Sequence, residues 1–266
     1  MMRAVLVALL FVFHASALAH EPPRREAAFE AAKSALGQQI PTLSFTAADG
    51  RRVDLADLRG RPLLVSLVYT GCADVCPALI ENLGPAVKMA QEALGADSFT
   101  TVTIGFDTRN DTPARLASYA RQHGAMLPNW LFLSADQATL DLLMEAVGFT
   151  FFPSAGGFEH MAMVSVVDSD GRLYQQVYGG VFEPPSIVEP LKDLVFGRQR
   201  SLVSFGGLMD RIRAFCTVYS PNAGRYYFSY SLFIGLAIGM GSLLLVLVWL
   251  VREAVRGRGR SQDQVT

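Results

Sequence analysis

The stretch Leu63-Leu64-Val65-Ser66-Leu67-Val68-Tyr69-Thr70-Gly71-Cys72-Ala73-Asp74-Val75-Cys76-Pro77 decides the fold. Leu63 to Tyr69 is an apolar run rich in Leu and Val, the pattern of a central strand buried on both faces. Past Gly71, two cysteines four positions apart lead into a helical pattern from Val75 to Leu94, interrupted or restarted around Gly84-Pro85. A buried strand that passes through a short loop into a helix is the opening half of a βαβ unit.

Outward from that unit the same alternation continues. On the N-terminal side, residues 20–40 form a polar lead-in with a short helix from Arg25 to Leu36. Leu43 to Thr46 reads as a strand, Asp49-Gly50 as a hairpin turn, and Val53 and Leu55 as the returning strand. On the C-terminal side, Phe99 to Phe106 is a strand, and Asp111-Thr112-Pro113 opens a helix to His123 with Pro near its first turn. Trp130 to Leu133 is a strand, and Ser134 or Asp136 caps a helix to Val147. Met161 to Val167 is a strand, Asp170-Gly171 turns it, Leu173 to Tyr178 returns, and Pro184 to Phe196 is the last helix. Residues 41–197 therefore read as one α/β domain with a mixed central sheet.

Composition places the rest. Hydrophobic residues make up 51% of the 266 and charged residues 18%, against roughly 25% charged in an ordinary soluble domain. Disorder is excluded, because a disordered chain is polar and highly charged. A net charge of -1 gives no basic field for nucleic acid. The apolar excess lies at the two ends. Arg3, the apolar run Ala4 to Leu18 and Ala17-Leu18-Ala19 compose a secretory signal peptide over residues 1–19, with His20 as the mature N-terminus. No charge occurs from Tyr226 to Val251, a length that crosses a bilayer core of about 30 Å. Residues 226–251 are the expected transmembrane helix, 198–225 its linker and 252–266 a basic tail. Gly235 and Gly239 in that helix have the spacing that allows close helix approach. Arg252, Arg256, Arg258 and Arg260 place the tail in the cytoplasm and the domain outside it.

The chemistry rests on Cys72 and Cys76. At a strand-to-helix junction, unpaired N–H groups and the helix dipole favour thiolate. The pair suits a redox dithiol or two soft ligands for one metal. The dithiol oxidoreductase signature is C-x-x-C; the extra residue here leaves more room for a metal between the sulfurs. Two thiolates with an imidazole suit copper, whereas zinc normally wants a fourth ligand. Of the imidazoles, His160 precedes the strand Met161 to Val167, after a loop containing Gly156-Gly157 that can return beside the cysteine loop. His123 ends a helix, where an exposed cation is expected. Asp107 and Asp111 read as an Asx turn and a helix cap, and Met161 and Met163 as core packing opposite His160. Cys216 is the odd cysteine. Its role, like that of His20, stays open.

On these residues the chain from about Pro41 to Gly197 resembles the Sco (SenC) family of copper-binding, thioredoxin-like proteins that serve cytochrome c oxidase assembly. The matching stretches are the apolar strand ending Tyr69-Thr70, then C-x-x-x-C-P, then Phe106-Asp107 with Asp111-Thr112-Pro113, and His160. Ala73 stands where the family usually has Pro, and Met161 where a small polar residue is commoner. The resemblance implies a thioredoxin-like domain in which Cys72, Cys76 and His160 bind one copper ion, Cu(I) or Cu(II). It implies a metallochaperone at a bacterial inner membrane, with its domain in the periplasm. The implied partner is the copper-bearing subunit of cytochrome c oxidase, beside other periplasmic copper carriers or thiol reductases. The alternative is a thiol-disulfide reductase cycling Cys72 and Cys76 to keep oxidase cysteines reduced for metallation. A peroxidase reading is weaker, because no supporting pocket for one activated cysteine is legible.

Overall fold

The computed structural model describes residues 23–154, 156–197, 217–220 and 225–262. The expected signal peptide, His20 and Cys216 lie outside them. The chain divides into two units, residues 1–200 and 201–266.

The first unit is built on a mixed seven-stranded sheet. Its strands are β1 (Ser44–Ala47), β2 (Arg52–Asp54), β3 (Leu63–Val68), β4 (Thr100–Gly105), β5 (Trp130–Ser134), β8 (Met163–Val167) and β9 (Leu173–Tyr178), in the spatial order β2-β1-β5-β4-β3-β8-β9. The three strands β3, β4 and β5 are parallel; all other pairings are antiparallel. β3 lies between β4 and β8 with all six side chains buried. That is why it reads as an unbroken apolar run rather than an alternating one. A separate hairpin, β6 (Phe151–Ser154) with β7 (Gly157–His160), stands outside the sheet.

The helices α1 (Pro23–Ser34), α2 (Val75–Leu94), α3 (Pro113–Gln122), α4 (Gln137–Val147) and α5 (Pro185–Gly197) complete this unit. The interruption expected at Gly84-Pro85 does not occur, and α2 runs through Pro85. An interior proline costs about 3 kcal/mol. The buried stripe Cys76, Leu79, Ile80, Leu83, Ala86, Val87 and Ala90 continues on both sides of it, and each large apolar side chain buried returns about 1.5–3 kcal/mol. Packing outweighs the lost bond. Asp136 caps α4, its side chain accepting from the Thr139 amide at 2.8 Å.

α1 is held by small residues. Ala28, Ala32 and Ala35 are buried, and Gly148, the left-handed C-cap of α4, lies against the α1 backbone. A Cβ at Gly148 would stand 2.7 Å from Ala32 Cα, at a φ of +63°. Gly148→Ala is expected to destabilise the full chain by about 2–3 kcal/mol through strain and displacement of α1, as read by chemical denaturation. Gly84→Ala, in α2 with nothing within 4 Å of its Cβ, is the control and should lose nothing.

In the second unit, β10 (Thr217–Ser220) pairs antiparallel with β11 (Arg225–Phe228), and α6 spans Ser231–Gln262. Residues 226–228, the expected start of the span, are thus strand. Within α6 the window Phe233–Leu250 is long and apolar enough to cross a membrane, and none of it is buried. No other helix among the described residues meets that description.

Candidate metal centre

β3 ends at Val68, and the chain turns through Tyr69 to Asp74 into α2. The loop is tight: the Cys72 amide donates to the Tyr69 carbonyl at 3.1 Å. Asp74 occupies the N-cap position of α2 without a side-chain cap bond. Cys72 takes that role instead, its Sγ accepting from the Cys76 amide at 3.3 Å. A sulfur at a helix N-terminus meets unpaired N–H donors and the positive end of the dipole.

The two thiols are free and unlike each other. Cys72 is partly accessible and Cys76 is fully buried. Partial burial pushes the Cys72 thiol up, but the Asp74 and Cys76 amides that face its sulfur outweigh this and hold it below the ordinary cysteine value. Burial pushes the Cys76 thiol far up, and the neighbouring Cys72 adds to the shift. The more nucleophilic sulfur is therefore the accessible one.

His160 reaches this point from the far side of the sequence. It ends β7, paired with Phe151 of β6, and its Nε2 lies 3.4 Å from Cys76 Sγ. Its ring packs among Phe106 at 5.2 Å, Phe149 at 5.5 Å and Tyr69 at 6.0 Å between centroids. Burial lowers its basicity, so the imidazole is neutral at pH 7. Its Nδ1 is buried without a hydrogen-bond partner.

Metal–sulfur and metal–nitrogen bonds of roughly 2.0–2.3 Å at 120° set donor atoms about 3.7 Å apart. The Cys76–His160 spacing is a few tenths of an ångström under that. The third candidate, Cys72, is turned onto the Cys76 amide. Among the described residues no three His, Cys, Asp or Glu side chains already form a closed cage. A groove of about 860 Å³, lined in part by Val75, Phe152 and Met161, opens beside His160.

The hairpin β6–β7 is an element that the sequence reading treats as a loop. Its signals are the aromatic pair Phe151-Phe152 and Phe158 on either side of Gly156-Gly157. Asp111 also departs from expectation. Thr112, not Asp111, caps α3, accepting from the Arg115 amide at 3.3 Å. Asp111 is buried; its Oδ1 accepts from the Thr70 amide at 2.8 Å and the Thr70 hydroxyl at 2.7 Å, and its Oδ2 from the Asp107 amide at 2.9 Å. It fastens the root of the cysteine loop to the loop after β4. Burial pushes its carboxyl up, against the opposing pull of the Thr70 donors.

His123 is not a solvated cap either. Its side chain is only 10% exposed, its Nδ1 meets Glu81 Oε1 at 3.0 Å, and its ring packs on Tyr119. It belongs to the α2–α3 contact and not to the cysteine site. Met163 is buried in β8, as expected; Met161 instead lines the groove with His160.

The SCO1 protein homolog of Bacillus subtilis (strain 168) is 28% identical over 104 residues, 38% of this chain and 52% of the relative. The mitochondrial SCO1 homolog of Homo sapiens is 23% identical over 136 residues, 49% of this chain and 44% of the relative. The chain spans about half the length of the curated relatives it matches. Among solved structures, a putative electron transfer protein from Aquifex aeolicus VF5 superposes with a TM-score of 0.55 at 25% identity, covering 61% of this chain and 95% of that one. Bradyrhizobium japonicum ScoI with copper bound superposes with a TM-score of 0.50 at 24% identity, covering 60% and 99%. The fold is the thioredoxin-like α/β fold with a mixed central sheet, joined by one apolar C-terminal helix. The SCO1/SenC profile matches residues 33–195, from within α1 into α5 and across both cysteines and His160, and the chain belongs to the SCO1/SenC family.

Proposed function

We propose that this chain is a membrane-tethered copper metallochaperone for cytochrome c oxidase, with Cys72, Cys76 and His160 as its copper ligands. The observation that carries the reading is the 3.4 Å contact between Cys76 Sγ and His160 Nε2, with Cys72 Sγ on the adjoining amide. Copper is cargo here. Two thiolates and a neutral imidazole form a soft set that suits it, and turning Cys72 Sγ away from the Cys76 amide completes the trio. The solved relative from Bradyrhizobium japonicum holds copper, and the family resemblance points to the oxidase's copper-bearing subunit as recipient.

In this reading residues 1–19 export the chain and the apolar helix of the second unit anchors it. The arginines from Arg252 onward hold the tail in the cytoplasm, and the domain works in the periplasm. The groove beside His160 and the partly accessible Cys72 give the recipient access to the site.

The test is a Cu(I) titration of the reduced full chain in mild detergent. One equivalent should bind, and affinity should fall roughly tenfold or more for each pH unit lost near neutrality. The sign follows from the thiols. Cys76 keeps its proton at neutral pH and must release it to bind. His160 is already neutral and adds no proton until the pH falls below its lowered value. Failure to bind one equivalent, or binding indifferent to pH, would overturn the assignment.

The unequal thiols favour one second reading, a thiol-disulfide reductase in which accessible Cys72 attacks a target disulfide and buried Cys76 resolves it. Reduction of an exposed disulfide that survives loss of His160 would support it.

A further inference from the structure

Tyr69 closes the apolar run of β3, and a phenylalanine there would satisfy the packing. Its ring meets Phe106 at 5.3 Å and, edge-on, Phe158 at 5.2 Å. The residue is only 6% exposed, so its hydroxyl needs polar partners. It finds one across the chain: the Phe158 amide of β7 donates to the Tyr69 oxygen at 3.4 Å. That partner belongs to the hairpin that carries His160, whereas Tyr69 itself opens the cysteine loop.

The hairpin needs such a fastening. It pairs with no strand of the main sheet, and an isolated two-stranded hairpin is marginal in water. Its tip sits directly on the phenol: a Cβ at Gly157 would stand 2.9 Å from the Tyr69 oxygen, at a φ of +122° where side chains are strained. Gly157 therefore permits both the turn and the approach of the backbone to the hydroxyl.

We infer that the Tyr69 hydroxyl is a clasp, accepting from the Phe158 amide, that holds the His160 hairpin onto the start of the cysteine loop. Tyr69 is then a positioning residue: it touches no cargo but sets where His160 stands relative to the two sulfurs. The inference rests on the copper reading for what the trio binds, and on hydrogen bonding alone for the clasp.

Tyr69→Phe keeps the ring and removes the clasp. In the reduced, copper-free full chain, amide exchange across residues 151–160 should quicken about three- to tenfold, the worth of one hydrogen bond, while β3 keeps its protection. Unchanged hairpin exchange would overturn the clasp. Cu(I) affinity in Tyr69→Phe should fall by a similar factor. Quickened exchange with unmoved affinity would uphold the clasp and count against His160 as a ligand, so the two readings fail separately.

Discussion

His160→Ala should weaken Cu(I) binding more than about 100-fold and leave the domain folded. Loss of an outer partner of a metal ligand typically costs 10–100-fold, and removal of a ligand itself should exceed that. Among the described residues no second imidazole lies at the site. His123 is committed to Glu81, and the ring neighbours of His160 are Tyr69, Phe106 and Phe149. The fold should survive because β7 is placed by its pairing with β6, by the Phe106–Phe158 contact at 5.5 Å and by the Phe158–Tyr69 bond. Competition against a Cu(I) chelator reads the affinity, and far-ultraviolet circular dichroism checks the fold. Unchanged affinity in a folded variant would remove His160 from the site. The same variant separates the two functional readings, since a reductase built on Cys72 and Cys76 keeps its dithiol.

The residues that were legible in advance share one property: their environment is set by neighbours in sequence. β3 announces itself because both faces are buried. β9 falls at Leu173–Tyr178, as the turn at Asp170-Gly171 indicates. Cys72 and Cys76 stand out because a loop between a buried strand and a helix is a local pattern. What stayed hidden depends on partners far along the chain. Asp111 looks like a cap beside Thr112-Pro113, and only the approach of Thr70, 41 positions away, turns it into a brace. His123 looks solvated until Glu81, 42 positions away, comes beside it. Tyr69 looks like core until Phe158 supplies a donor from 89 positions away. Pro85 shows the converse, a strong local signal overridden by the apolar stripe around it.

Asp111→Ala should be the most destabilising single change near the site, by about 3–5 kcal/mol. The carboxylate satisfies the Thr70 amide, the Thr70 hydroxyl and the Asp107 amide, and each buried donor left unmet costs about 1–3 kcal/mol. Gly105 adds a steric reason for the arrangement, since a Cβ there would stand 2.5 Å from Asp111 Cβ; the carboxylate thus fills the space left by a missing side chain. Asn at this position should lie between Asp and Ala. Its oxygen can still accept from Thr70, but its NH₂ group would face the Asp107 amide, donor against donor. The effect should also reach the metal centre. Thr70 lies two residues before Cys72, and freeing its amide loosens the loop that aims the sulfur. Cu(I) affinity should therefore fall about 10–100-fold in any Asp111→Asn protein that remains folded, as expected for a lost outer-shell support. Denaturant titration reads the first effect and chelator competition the second. A folded Asp111→Asn protein with undiminished affinity would reduce Asp111 to a purely structural brace, with no part in positioning Cys72.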